Sequence, residues 1–180
     1  MHRIIETKRL ILKTLDRQDA PLVLDYLLRN KEFLEEWEPL RREGFYTEEF
    51  QRKELSREQG EMEAGRMLKL WISMKGEERI IGSLTFGSIV RGAFQSCFLG
   101  YRLDKDELNR GYMTEAFRVG IDLMFGEYGL HRIEANIMPA NKRSLRVAQK
   151  LGFHDEGYAK KYLNINGVWE DHIHMVLINE

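Results

Sequence analysis

The chain has 180 residues, 43% of them hydrophobic, which is enough for one domain with a sizeable core. Its 28 Lys and Arg residues nearly balance 29 Asp and Glu residues, so no global positive field indicates a DNA-binding protein. No run approaches the ~20 apolar residues of a membrane span, and the single cysteine, Cys97, can form no internal disulfide. We therefore expect a single cytoplasmic domain over 1–180, without a DNA or membrane partner.

The first half of the chain predicts four strands and two helices. Asp16 is a helix N-cap, and the apolar residues after it recur at helical spacing until about Asn30. A second helix is predicted over 48–62. Between the helices, the segment 30–49 is aromatic, charged and broken by Pro and Gly, which is typical of a loop that shapes a surface cleft. Strands are expected at 9–15, 66–74, 78–90 and 95–103.

The second half predicts a strand, a helix and another strand in succession. After Gly111 the apolar residues share one helical face, and 131–138 alternates as a strand does. This order is that of a right-handed βαβ unit, so the strands at 95–103 and 131–138 should be parallel. Asn141 is then a helix N-cap and Gly152 a C-cap residue. A mixed sheet is completed by strands at 154–165 and 168–178.

The segment 106–117, DELNRGYMTEAF, joins the first of these parallel strands to its helix. It lies at the carboxyl end of a strand, where ligands of open α/β sheets bind. The helix start exposes unpaired N–H groups and the positive end of the dipole, Gly111 leaves room for an anion, and Arg110 adds a positive charge. These features favour a phosphate site. An ordinary turn with a helix cap uses the same residues, however, and neither common phosphate-loop motif is present.

Block by block, the sequence resembles the GNAT superfamily of acetyl-CoA-dependent N-acetyltransferases. The blocks are TKRLILKTL, FLGYRL, NRGYMTEAF and RIEANIMPANKRSLRVAQKLGF. A closer resemblance, to the ribosomal-protein alanine N-acetyltransferases of the RimJ kind, lies in FLEEWEP, SIVRGAF, MPANKRS, LGFHDEGYAKKYL and NGVWEDH. The resemblance implies a mixed α/β fold with a mostly antiparallel sheet of about seven strands and about four flanking helices. In this fold a splayed parallel pair of strands binds acetyl-CoA.

The resemblance also implies which residues hold the cofactor. The family's pyrophosphate loop follows the pattern Q/R-x-x-G-x-G/A. Aligned on Gly111, this chain departs from the pattern at Leu108 and Met113, so the contacts depend on backbone N–H groups. Backbone groups at the end of the strand, together with Asn141, would meet the pantetheine arm. The implied cofactor-binding residues are Tyr101, Arg102, Leu103, Asn109, Arg110, Gly111, Tyr112, Met113, Thr114, Asn141 and Ser144.

The implied reaction is direct attack of an amine on the acetyl thioester, with no acyl-enzyme. A backbone N–H at 99–101 would stabilise the oxyanion, and Ser144 is the candidate acid, with a solvent-facing helix residue as the alternative. Asn136 would face the acceptor and bind its backbone or a water. Glu38, in the 30–49 loop, is a candidate substrate or base residue, and a solvated loop glutamate is the alternative.

The acceptor is predicted from a missing carboxylate, because Phe98 stands where the superfamily commonly has a glutamate base. An α-amine, with an unperturbed pKa of about 7.7–8.0 against about 10.4 for lysine, needs a weaker base. The sequence therefore favours the N-terminal amine of a ribosomal protein, of the alanine type. A small-molecule or antibiotic amine is one alternative, and a non-catalytic, ribosome-associated acetyl-CoA-binding factor is another. Other carboxylates that could supply a base are Glu134, Glu170 and Asp171.

Three further features have bland explanations. His172 and His174 share a strand face, but no other ligands accompany them, so no metal is expected. Cys97 is predicted to be buried and without a chemical task. A basic helix start could meet the 3′-phosphate of CoA, ribosomal RNA or solvent; its residues are Lys142, Arg143, Arg146 and Lys150. The expected co-substrate is acetyl-CoA, and the expected partners are a protein N-terminus and a transient ribosome contact, for a monomer or homodimer.

Overall fold

The computed structural model describes residues 2–180. Its strands are β1 (Ile4–Glu6), β2 (Leu10–Lys13), β3 (Leu68–Met74), β4 (Ile80–Val90), β5 (Ser96–Leu103), β6 (Arg132–Ile137), β7 (His154–Ile165) and β8 (Val168–Ile178). Its α-helices are α1 (Ala20–Arg29), α2 (Lys31–Glu35), α3 (Glu48–Glu63), α4 (Tyr112–Asp122) and α5 (Lys142–Lys150). The strands form one sheet in the order β1-β2-β3-β4-β5-β6-β8-β7, antiparallel throughout except between β5 and β6.

The predicted mixed α/β fold, with a mostly antiparallel sheet and one parallel pair, is confirmed, and two short elements add to it. β1 brings the described strands to eight where the sequence predicts about seven, since three residues are too few to show alternation. α2 brings the described α-helices to five where the sequence predicts about four. It lies inside the predicted 30–49 loop and buries only Leu34, so its sequence has no apolar stripe to recognise.

Side-chain caps decide where the helical segments begin. The predicted cap at Asp16 accepts a hydrogen bond from the Gln18 N–H at 2.7 Å, and Asp19 accepts one from the Asp16 N–H at 2.9 Å. This reciprocal pair begins a 3-10 turn (Arg17–Asp19) that leads into α1. The hydroxyl of Thr47 accepts from the Phe50 N–H at 3.3 Å and begins α3.

Two apolar clusters cover the two faces of the sheet. α4 and α5 pack on one face, and α1 and α3 pack on the other. Trp71 belongs to the cluster under α1 and α3, while its neighbours Leu70 and Ile72 belong to the other, as strand alternation requires. α4 can lie against β4 because Gly120 has no side chain: a Cβ there would be 2.6 Å from the Phe86 ring.

β5 and β6, the predicted parallel pair, lie side by side over only three residues each. Ser96, Cys97 and Phe98 lie opposite residues 132–134. Beyond them, β5 continues to pair with β4, and β6 continues to pair with β8. Residues 99–103 and 135–137 therefore diverge, and a cleft opens between two neighbouring strands of one sheet.

Asp104 fixes the chain where β5 ends, and it is fully buried. Its carboxylate accepts hydrogen bonds from the Asp106 N–H and from Arg79 Nη2, each at 3.0 Å, and it pairs with Arg29. Burial opposes ionisation of this carboxyl group, but the donors outweigh burial and lower the pKa of Asp104 to about 2. The anion therefore stabilises the folded state.

Asp104→Asn should lower the free energy of unfolding by about 1.5–3 kcal/mol near neutral pH, because hydrogen bonds to a charged group are lost. Because the folded pKa lies below the unfolded value of about 3.9, the wild-type contribution is complete above that value and is lost as the pH falls towards about 2. Urea unfolding at neutral pH and at about pH 3 measures both effects.

Asp25→Asn is the matched control, since Asp25 pairs with the same Arg29 but its side chain is 59% exposed. An exposed pair contributes about 0–1 kcal/mol, so this variant should unfold nearly as the wild type does. Equal losses in the two variants would contradict the stabilising role of buried Asp104.

Candidate functional site

A cavity of about 400 Å³ opens where β5 and β6 diverge. Its walls are the loop before α4, the start of α5, α2 with the residues after it, and parts of β5, β6 and β8. The predicted site residues that line it are Glu38, Tyr101, Arg102, Leu103, Asn109, Gly111, Tyr112, Met113, Thr114, Asn136, Asn141 and Ser144. Residues from distant parts of the chain thus meet at one cavity, and Arg110 is the one predicted site residue that does not line it.

The Arg110 side chain turns away from this cavity. Its guanidinium is more than half exposed and lies 3.0 Å from a carboxylate oxygen of Glu107. Its carbonyl oxygen accepts a hydrogen bond from Arg9 Nη1 at 2.9 Å. A direct contact between Arg110 and a phosphate is therefore not preformed, and it would require the pair with Glu107 to open.

Two residues with positive φ shape the loop before α4. Asn109 has a φ of 61°, and Gly111, the N-cap of α4, has a φ of 78°, which glycine adopts without steric cost. Room for an anion is not the only reason for glycine here, because this left-handed φ strains any L side chain, although a Cβ would make only an ordinary contact of 3.4 Å with Arg9 Nη2. The first N–H groups of α4, beginning with Tyr112, have no acceptor within the helix and lie beside the cavity.

Arg9, just before β2, holds this loop in place. Its Nη1 donates to the Arg110 carbonyl at 2.9 Å, and its Nε donates to Glu115 at 2.7 Å. Its guanidinium carbon lies 4.6 Å from the centre of the Tyr112 ring. Sequence reasoning missed Arg9 because these partners are more than 100 residues away in the chain, and only the strand order brings them together.

The α4/α5 side of the cleft holds Ser144 by its backbone. The Asn141 side-chain oxygen accepts from the Ser144 N–H at 3.1 Å, so the predicted N-cap of α5 is confirmed. The Tyr101 hydroxyl donates to the Ser144 carbonyl at 2.8 Å, and its ring packs edge-on against Phe117. No described residue hydrogen-bonds the Ser144 hydroxyl, so that group is available to a molecule in the cavity.

Arg102 points to the α1/α3 side of the sheet, opposite to Tyr101. Its Nη1 donates to Glu38 at 2.8 Å, its Nε donates to Ser83 at 3.2 Å, and its guanidinium lies 5.6 Å from the Trp71 ring. This side chain is committed to neighbours within the protein. Only the backbone of Arg102 is placed for the cofactor contact that the sequence predicts.

Glu38 lies on the α1/α3 side, paired with two arginines. One carboxylate oxygen accepts from Arg102, the other pairs with Arg41, and the Glu38 carbonyl accepts from the Asn166 N–H in the β7–β8 turn. Burial opposes ionisation of this carboxyl group, but the two arginines outweigh burial and hold the pKa of Glu38 below its usual value. A carboxylate so paired binds a proton weakly, which counts against Glu38 as a base and favours a positioning role.

Asn136 also faces the α1/α3 side, since its neighbours Ala135 and Ile137 are buried in the cluster under α4 and α5. Its side-chain oxygen is buried, lies at the cavity and has no hydrogen-bond partner among the described residues. A buried acceptor without a donor costs free energy, about 1–3 kcal/mol. A donor on a bound molecule would remove that cost.

The other candidate carboxylates have partners or lie elsewhere. Glu134 bonds His174 at 2.6 Å and Arg132 at 3.0 Å, and Asp171 accepts from Tyr158 and from the Lys161 N–H. The described residues that line the cavity include neither of these carboxylates nor Glu170, which leaves Glu38 as the one acidic residue among them. None of the carboxylates considered as a base is therefore both at the cavity and free of a partner.

The sequence suggests no role for His172 except as a metal ligand, whereas the structure places it in the wall of the cavity. It is 3% exposed and lines the cavity. Its Nδ1 lies 3.0 Å from the Glu170 carbonyl oxygen. The wall of this cavity is assembled from strands that are distant in the chain. The alternating pattern around His172 therefore does not predict that this histidine lies at the cavity.

The basic helix start lies partly at the cavity. Arg143, Arg146 and Lys150 line it, whereas Lys142 does not. This group and the free N–H groups of α4 give the α4/α5 side a positive character suited to an anion.

Other residues that could carry chemistry are not used in this way. Cys97 is buried and away from the cavity, and burial raises the pKa of its thiol to about 12, so the thiol is unreactive. Within 2–180, no three His, Cys, Asp or Glu side chains are grouped to hold a metal ion. Nor does any described helix have the length and apolar character to cross a membrane.

Comparison with known proteins identifies relatives along nearly the whole chain. The family model described as Acetyltransferase (GNAT) domain matches residues 9–154. The probable N-acetyltransferase YjcK of Bacillus subtilis is 40% identical over 98% of this chain and 97% of its own. The [ribosomal protein uS5]-alanine N-acetyltransferase of Escherichia coli is 37% identical over 94% of this chain and 87% of its own. A solved structure, Mycobacterium smegmatis RimJ in complex with CoA-disulfide, superposes with a TM-score of 0.89 at 31% identity, covering 94% of this chain and 81% of that one.

Proposed function

The chain belongs to the GNAT acetyltransferase family, and from this membership we propose that it transfers the acetyl group of acetyl-CoA to the N-terminal amine of a protein. The proposed acceptor is an alanine-type terminus of a ribosomal protein. The observation that carries the proposal is the gap between β5 and β6, through which one cavity reaches both sides of the sheet. Cofactor and acceptor can therefore enter from opposite sides and meet between the strands.

The residues on the α4/α5 side fit the anionic cofactor. The N–H groups at the start of α4 would hold the pyrophosphate, and the positive φ of Gly111 turns the backbone so that they face the cavity. Arg143, Arg146 and Lys150 offer positive charge for a further phosphate. When bound, acetyl-CoA supplies the thioester carbon that the amine attacks. The free hydroxyl of Ser144 would then protonate the leaving sulfur.

The α1/α3 side supports a protein N-terminus as the acceptor. The unpartnered oxygen of Asn136 would accept a hydrogen bond from the amine or from the first peptide N–H. Glu38 lines both this cavity and a second one of about 400 Å³ that is formed by 38–47 with neighbouring residues, so a chain longer than one residue has room to continue. One relative of this chain, from Escherichia coli, acts on an alanine of ribosomal protein uS5.

The acceptor amine follows from the strength of the available base. Removing the proton from an α-ammonium rather than a lysine side chain saves about 2.5 pKa units, or roughly 3.5 kcal/mol. The one described carboxylate at the cavity, Glu38, is held ionised by two arginines. A site whose one described carboxylate is occupied by arginines therefore suits the α-amine, which needs the weaker base.

A panel of amines tests the proposal by the thiol released from acetyl-CoA. Peptides that begin with Ala should react fastest and Ser peptides next, whereas N-blocked peptides with a Lys side chain and a polyamine should react at least 10-fold more slowly at equal concentration, because lysine is less often neutral. An N-blocked Ala peptide is the control. A faster reaction with Lys or polyamine would contradict the proposed acceptor, and acetyl-CoA binding without any acetylation would contradict catalysis.

Gly111→Ala tests the proposed pyrophosphate loop. An L side chain in the left-handed region costs roughly 1–2 kcal/mol, so the loop should relax and the affinity for CoA should fall by up to about 10-fold. Gly76→Ala is the control, since Gly76 has nearly the same φ (82°), lies in the β3–β4 turn and has open space around its Cβ position. Calorimetric titration with CoA should separate the two variants, and equal affinities would refute the placement of the pyrophosphate.

Ser144→Ala tests the proposed acid. The variant should lose kcat on the order of 10²-fold, while its affinity for CoA changes by less than about twofold, since a general acid acts in the chemical step. Ser56→Ala is the control, because Ser56 is exposed on α3 and does not line the cavity. A wild-type kcat for Ser144→Ala would remove the proposed role.

A further inference from the structure

His172 lies on the same side of the cleft as Asn136. Asn136 on β6 lies opposite His174 on β8, and directly opposite residues of an antiparallel pair share a face of the sheet. His172 precedes His174 by two residues, so both histidines lie on the face of Asn136. Asn136 and His172 also line the same cavity.

A backbone hydrogen bond fixes which nitrogen of His172 carries the proton. The Glu170 carbonyl can only accept, and it lies 3.0 Å from His172 Nδ1, so a neutral ring carries its proton on Nδ1. The lone pair is then on Nε2, for which no described residue provides a hydrogen bond. The Tyr162 ring, with its centre 5.9 Å from that of His172, packs against the imidazole. The ring is thus oriented, with its accepting nitrogen unused.

His174 differs from His172 because its ring is paired with a carboxylate. It lies on the same face, but its Nδ1 is 2.6 Å from a Glu134 oxygen and it is not part of the cavity wall. Glu38, the one described carboxylate at the cavity, is committed to Arg102 and Arg41. Of the side chains considered as a base, His172 is therefore the one that is both at the cavity and without a competing partner.

We propose that His172 Nε2 is the general base that removes a proton from the acceptor ammonium, directly or through one water. This assignment rests on the proposed acetyl transfer and names its missing base. One N–H bond of the ammonium breaks, the proton passes to Nε2, and the freed electron pair forms the N–C bond to the acetyl group. The C–S bond breaks with its pair on sulfur, the Ser144 hydroxyl gives its proton to that sulfur, and the second proton, which leaves the amide nitrogen, passes to the Ser144 oxygen. One proton is therefore released overall, from the imidazolium to solvent.

The test compares His172→Ala and His172→Gln with His174→Ala on an Ala-terminated peptide. Both His172 variants should lose kcat on the order of 10²-fold or more and keep their affinity for acetyl-CoA within about twofold. His174→Ala, on the same face but away from the cavity, should keep its rate within about threefold. Added imidazole should restore part of the rate of His172→Ala, in a saturable manner, because it can occupy the space left by the ring. The same imidazole should not restore the rate of Ser144→Ala.

Several outcomes would overturn the assignment. A wild-type kcat in either His172 variant would do so, as would a raised KM with unchanged kcat, or a loss in His172→Ala that imidazole leaves unchanged while far-UV circular dichroism shows a folded protein. Should the alanine variant fail to fold, the kcat and cofactor affinity of His172→Gln decide. A wild-type enzyme that prefers another amine would refute the proposed acceptor without refuting the role of His172. The same variants are then measured with that amine.

Discussion

The cleft, and with it both sides of the proposed site, exists because β5 and β6 separate. Two adjacent parallel strands pair over three residues and then part, each remaining paired on its other side, to β4 and β8. The facing edges of 99–103 and 135–137 lose their mutual hydrogen bonds, and unpaired backbone groups away from water are costly. An open strand edge of this kind accepts an extended molecule that carries amide groups. The cavity is therefore a consequence of strand pairing.

The parting of the strands also gives the two sides of the sheet different electrostatic characters. On the α4/α5 side, helix N–H groups and cationic side chains face the cavity without acidic partners lining it. On the α1/α3 side, Glu38 lies between Arg102 and Arg41, so this group sums to one positive charge. Positive charge disfavours a nearby ammonium and favours the neutral amine. The arrangement therefore lowers the demand on the proposed base.

The sequence predicts what local periodicity and capping can encode. The helix from Glu48, the parallel pairing of β5 with β6 and the N-cap at Asn141 follow from patterns within short windows, and the structure confirms all three. The residues expected at the cleft come instead from the resemblance to a known family. β1 and α2 escape prediction because elements of three and five residues are too short to show a period.

The parts of the site that sequence could not supply are contacts between distant segments. Arg9 reaches the α4 loop only because β2 lies near it in the folded sheet, and no motif links the two. His172 looks like any polar residue of an alternating strand until β6 and β8 pair and the cavity reaches it. Arg102, one of the two arginines that pair with Glu38, is 64 residues away in the chain, so the direction of the Glu38 pKa shift could not be anticipated. Partners, rather than residue types, decide these roles.

Asn141 shows how one residue can serve both the fold and the site. As a cap, it uses one lone pair of its oxygen on the Ser144 N–H, which also fixes the position of Ser144 at the cavity. The side-chain N–H groups and the second lone pair of Asn141 are not consumed by this bond. A capping role and a cofactor contact are therefore compatible, and loss of the cap would move the proposed acid as well as fray the helix. Residues of the first turn of α5 serve both the fold and the site because this turn is itself a wall of the cleft.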